Sequence, residues 1–120
     1  VNTPSRWLVT LSCLAVSCAD EHLIACTEEA RPAITVEIRD SVSLAPAATG
    51  AVAIARDGPY ADTLRAFSTL SASGAYERPG TYTVTVTKSG YQDWTATGVR
   101  AADLGCHVET VILQTRLKQP

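Results

Sequence analysis

Between Thr81 and Thr87 the chain alternates without a break: Tyr82, Val84 and Val86 fall on one parity, and Thr81, Thr83, Thr85 and Thr87 on the other. Successive side chains of a strand point to opposite faces, so this spacing gives one apolar face and one hydroxyl-bearing face. β-branched and aromatic residues also suit a pleated, half-buried surface. Such a strand cannot bury its apolar face alone and requires a second layer. The same period returns at Ile34, Val36 and Ile38, set against Thr35, Glu37 and Arg39.

Turn signals divide the rest into strand-length pieces. Asp40 to Gly50 reads as a loop carrying Pro46, and Val52 and Ile54 alternate with small alanines before a turn at Asp57-Gly58-Pro59. Tyr60 to Phe67 reads as a short, more polar strand, followed by a Ser-rich connection through Ser73-Gly74. Arg78-Pro79-Gly80-Thr81 has the composition of a type II turn, with Gly80 at the position that favours positive φ. Lys88-Ser89-Gly90 turns the chain again, and Tyr91 to Val99 returns. His107 to Leu117 reads as the last strand. There Val111, Leu113 and Leu117 share one parity and Val108 and Ile112 the other, which predicts a bulge or burial on both faces. No 3.6-residue period long enough for a sizeable helix is present. About seven strands at short spacing predict an all-β, antiparallel, immunoglobulin-like or prealbumin-like sandwich over residues 33–117.

The first eighteen residues read differently. Arg6 is the only charge before Asp20, and Trp7 to Ser17 is largely apolar. That run has the length of a secretory leader and falls short of the roughly 20 apolar residues needed to cross a bilayer. Ala15-Val16-Ser17-Cys18 is similar to a bacterial lipobox, so residues 1–18 are expected to be a leader with lipid attached at Cys18. Ordinary cleavage near Ser17-Cys18-Ala19 is the alternative. Residues 19–32, with Glu28 and Glu29, then form a tether, and the chain meets a membrane only through its lipid anchor. The expected location is the cell envelope, lipid-anchored, periplasmic or secreted.

Composition limits the function. The 120 residues are 46% hydrophobic and 18% charged, enough for one cored domain, and the net charge of -2 leaves no basic field for nucleic acid. Cysteines stand at 13, 18, 26 and 106. If the leader uses the first two, Cys26 and Cys106 form an even pair, which in an exported domain reads as a disulfide. Closing a loop of that length restricts the unfolded chain by roughly 4.5 kcal/mol, an upper figure. A zinc set of His22, Cys26, Cys106 and His107 exists on paper. However, Cys106 and His107 are adjacent and would point to opposite faces of a strand. His107 reads instead as a surface or edge-strand residue, and neither metal nor cofactor is expected.

Ile34 to Asp40, then Thr49 to Ile54, then Gly80-Thr81-Tyr82-Thr83-Val84-Thr85-Val86 followed by Gly90-Tyr91, together resemble the carboxypeptidase regulatory-like domain. The likeness covers about residues 33–115. It implies a seven-stranded, prealbumin-like sandwich that serves as an accessory module in folding, surface display or ligand contact rather than in catalysis. In this pattern Gly80 opens the strand, Tyr82, Val84 and Val86 fill its inner face, and Gly90 turns the chain so that Tyr91 covers the end of the sandwich.

Catalytic readings find little support in the residues. The chain ends Arg116-Leu117-Lys118-Gln119-Pro120, without the Tyr-Arg-Gly-Ser-like tail of the transthyretin-like hydroxyisourate hydrolases. Lys88 and Lys118, the only lysines, are not on the first strand, where a self-crosslinking sandwich needs one. His107, Asp103 and some serine could form a nucleophilic set, but no Gly-x-Ser-x-Gly elbow is present. Phosphate-cradling loops are absent as well. Trp94 is the only tryptophan after the leader, with the tyrosines Tyr60, Tyr76, Tyr82 and Tyr91 as company, and is the residue expected to contact a glycan if one is bound. The expectation is a non-catalytic module with a structural or protein-binding role in the cell envelope, its partner a protein or another envelope component. A carbohydrate-binding module is the alternative, and a small orphan hydrolase the weaker one.

Overall fold

A computed structural model describes residues 26–120. The leader with Cys18, the residues 19–25 of the tether, and His22 lie outside the described residues. Eight strands form: β1 (Pro32–Asp40), β2 (Val52–Asp57), β3 (Tyr60–Thr63), β4 (Arg65–Ala66), β5 (Ser71–Tyr76), β6 (Gly80–Thr87), β7 (Trp94–Ala101) and β8 (Val111–Leu117). They build two four-stranded sheets, ordered β4-β5-β1-β8 and β3-β2-β6-β7. No helix occurs among the described residues. The fold is an all-β sandwich with one strand more than the sequence suggested, and one pair, β1 with β8, runs parallel rather than antiparallel.

The alternating segments build the core. Tyr82, Val84 and Val86 of β6 and Ile34, Val36 and Ile38 of β1 are all buried in one cluster with Leu64, Val99, Val108 and Leu117. Full burial of one such side chain contributes roughly 1.5–3 kcal/mol, so these two strands provide much of the apolar driving force.

Four local expectations are corrected. The Ser-rich stretch is not a connection but strand β5, held between β4 and β1. At its centre space is short: a Cβ on Gly74 would sit 2.6 Å from Leu64 Cδ2 and 2.7 Å from Asp62 Oδ2. Leu64 lies between β3 and β4, where the chain passes from one sheet to the other, and is itself buried. On β2 the alanines face inward, with Ala53 and Ala55 buried and Val52 exposed. Leu64 donates its N–H to Ala53 O at 2.8 Å, so its bulk stands beside the small residues of β2.

The turn before β6 also differs from a type II turn. Positive φ falls at Ala75 and Glu77, each at 53°, and not at Gly80. Gly80 serves close approach instead, because a Cβ there would lie 2.5 Å from Asp57 Oδ2 and 3.0 Å from Arg78 Nη1 and would push on both side chains. That carboxylate pairs with Arg78 Nη1 at 3.0 Å, and Tyr82 donates its hydroxyl to Arg78 O. Finally, β8 buries one face only. Thr115 and Leu117 are buried, Val111 and Leu113 are partly covered, and Ile112 points out and is exposed. Val108 lies ahead of the strand, bridged to Asp103, which accounts for the mixed parity without a bulge.

Candidate functional site

Three segments converge at one end of the sandwich: residues 26–31 ahead of β1, the turn 77–79 between β5 and β6, and the loop 102–110 between β7 and β8. Cys26 and Cys106 are joined by a disulfide with their Cα atoms 5.1 Å apart. This places the neighbours Thr27 and His107 together. Both thiols are consumed by the bond, so the paper zinc set with His22 has no thiolate to offer. Among the described residues no group of three or more His, Cys, Asp or Glu is placed to hold a metal ion.

Glu77 is the hub of this end. Its Oε1 accepts the Arg31 N–H and the His107 Nδ1–H, both at 2.7 Å, and its Oε2 accepts the Val108 N–H at 3.2 Å. The hydrogen bond from His107, then that from the Arg31 amide, holds the Glu77 carboxyl below the usual range. A carboxylate can only accept, so Nδ1 carries the hydrogen, and in the neutral ring Nε2 is left as an acceptor. Thr27 Oγ1 lies 2.7 Å from that nitrogen. The result is a hydroxyl, an imidazole and a carboxylate in line, beside a cleft of about 430 Å³.

This is not the set expected from the sequence. Asp103 turns away to accept the Gly105 N–H at 2.8 Å, and Glu77 takes the acidic position. His107 is no free surface residue, since its side chain is only 12% exposed. Glu77 and Thr27 were not visible as its partners because they lie 30 and 80 positions away along the chain. The single available signal was the predicted pairing of Cys26 with Cys106, which necessarily brings residues 27 and 107 close. The second half of the tether, residues 26–31, is therefore fastened to the domain.

Trp94 opens β7 and is half-buried, packed on the core. It lines a cleft of about 240 Å³ with Gln92, Arg116 and Lys118, and no second aromatic ring among the described residues lines it. At the far end of the sandwich Tyr91 donates its hydroxyl to Asp40 Oδ2 at 2.9 Å, closing the end of β1.

The sheet edges differ in how far they are protected. β3 and β4 are short, and β7 is interrupted by a register shift opposite Tyr82/Val84 and by Gly98 at φ 65°. β8 has seven residues, pairs in unbroken register with β1, and among the described residues has no other strand beside it. It contains neither proline nor bulge, Arg116 is its only charge, and Ile112 is 56% exposed on its outer face. Natural edge strands usually carry such protections against pairing with another chain. No protein-family profile matches the chain, and no curated protein matches it.

Proposed function

We propose that this chain is an exported, non-catalytic β-sandwich module of the cell envelope, tethered by lipid at Cys18, that binds a protein partner along β8. The disulfide supports export, because such bonds persist in oxidising compartments and are reduced in the cytosol. The resemblance to the carboxypeptidase regulatory-like domain points the same way, toward an accessory role.

The single observation that carries partner binding is the edge of β8, which no other strand covers among the described residues, with Ile112 exposed on its outer face. An incoming strand would find backbone donors and acceptors along that edge, and Ile112 would supply apolar contact on the outer face. The glycan reading has less support, since Trp94 gives much of its surface to the core and no second ring among the described residues lines its cleft.

A photo-crosslinking amino acid at position 112, incorporated in cells that export the protein, tests the reading. The expected result is one discrete adduct with another envelope protein, absent when the same group is placed at Val52 on the opposite sheet. Absence of any adduct from position 112, or equal adducts from both positions, would overturn partner binding through β8. Intact mass of membrane-purified protein tests the anchor: acylated Cys18 is expected, and an uncleaved leader would refute it.

A further inference from the structure

The cluster at the disulfide end holds a chemistry that partner binding along β8 does not use. Thr27 is exposed to solvent, yet its hydroxyl lies 2.7 Å from an imidazole nitrogen whose tautomer is fixed from behind by a carboxylate. Nucleophilic hydroxyls are activated by this arrangement: a base within hydrogen-bond reach, oriented by a third group. Two independent features hold it in place. The covalent bond between Cys26 and Cys106 fixes the residues next to Thr27 and His107, and Glu77 ties the Arg31 and Val108 amides around the ring.

We propose that Thr27 is an acyl-accepting nucleophile, with His107 as its general base and Glu77 as the positioning residue. The donor class is a small carboxylic ester with a good leaving group. Thr27 Oγ1 attacks the ester carbonyl, its proton passes to His107 Nε2, and a new Oγ1–acyl bond forms. The old carbon–oxygen ester bond breaks, and the leaving alcohol takes the proton back from Nε2. The balance is one ester and one threonine hydroxyl converted to one threonyl ester and one alcohol, with no redox change.

The cleft next to Thr27 also indicates which donors enter. Glu28, Glu29 and Asp103 line it, and no Lys or Arg among the described residues does, so neutral or cationic esters are favoured over anionic ones. The amides of Gly105 and Val108 are already bound to Asp103 and Glu77 and are not free to stabilise an oxyanion. Transfer is therefore limited to activated donors and to one acyl group per chain, which is modification rather than turnover. It does not depend on β8.

The test uses the disulfide-intact exported protein with p-nitrophenyl acetate as the neutral probe, and in parallel a neutral fluorophosphonate. Expected is one adduct per chain, mapped by tandem mass spectrometry to Thr27, abolished in Thr27→Val and kept in Thr27→Ser. His107→Gln should slow labelling by about 100-fold, the low end of what a general base contributes. Glu77→Gln should slow it while leaving the adduct on Thr27. Folding of each variant is checked by circular dichroism and by the intact disulfide mass, and Thr27 contributes nothing to the core. A clasp with a purely structural role predicts no adduct on Thr27, or labelling indifferent to His107→Gln, and either result overturns the proposal.

Discussion

Thr115 faces the core from β8, is 1% exposed, and its Oγ1 has no hydrogen-bond partner among the described residues. A buried hydroxyl left unpaired costs roughly 1–3 kcal/mol, the desolvation of a group that finds nothing in return. Thr115→Val replaces that hydroxyl by a methyl group of nearly the same volume, so shape is kept and the penalty is removed. The expected gain is about 1 kcal/mol or somewhat more. For a domain of this size that corresponds to a rise of roughly 4–8 °C in Tm. Thr35 provides the contrast. It too is buried, but its Oγ1 shares a 2.7 Å bond with Ser73 Oγ. Thr35→Val strands the Ser73 hydroxyl and should lose about 1 kcal/mol, most of it recovered in a Thr35→Val/Ser73→Ala double variant, because both partners then leave together. Thermal unfolding under non-reducing conditions, followed by circular dichroism, measures all three. The reasoning fails if Thr115→Val is neutral or destabilising, or if the two single variants shift Tm in the same direction.

Replacing both Cys26 and Cys106 by serine should cost about 2–4 kcal/mol, since the 80-residue separation lies in the range where loop closure matters most; urea midpoints of the variant and the oxidised parent give the difference. Asp40 is held down to about 2 from 3.8 by the amides of Ser43 and Val42 and then by the Tyr91 hydroxyl. The unfolded chain therefore takes up this proton first as pH falls, so the carboxylate's stabilisation is complete above about pH 5 and disappears toward pH 2. Urea unfolding between those limits should show a shallower loss of stability in Asp40→Asn than in the parent, and equal slopes would remove Asp40 from the account. Gly74→Ala forces a methyl group against Leu64 Cδ2 and should destabilise by about 1–3 kcal/mol, with a smaller loss in a Leu64→Ala background; calorimetry of the pair checks the coupling.

The sequence made the strands with large alternating side chains legible. Tyr82, Val84 and Val86, or Ile34, Val36 and Ile38, state their buried face directly. β5 was hidden because Ser71, Ala72, Ser73, Gly74 and Ala75 carry turn-like composition, although they are buried. At Gly74 the smallness answers to Leu64 and Asp62, neighbours in space whose approach no local pattern records. β2 misleads for a related reason: its inward residues are alanines, so hydrophobicity alone picks the wrong face. At the site, Cys26 with Cys106 was readable by counting, but Glu77 was not, since an isolated glutamate in a turn looks like any solvated charge. Its role arises only when three segments fold onto it.

The bond at the domain's entrance also decides how the molecule carries tension. A pull between the segment ahead of Cys26 and the segment after Leu117 passes straight across the two sulfurs to Cys106 and into the last strand. The first seven strands lie inside the closed loop and bear no load along the chain. Among the described residues the slack on that path lies in residues 107–110, and because β8 runs parallel to β1, from Val111 beside Ile34 to Leu117 beside Asp40, taking it up shears the ladder lengthwise so that its rungs resist together. Because β8 is already extended, a stretched molecule of this build would lengthen by little more than that slack and then stop.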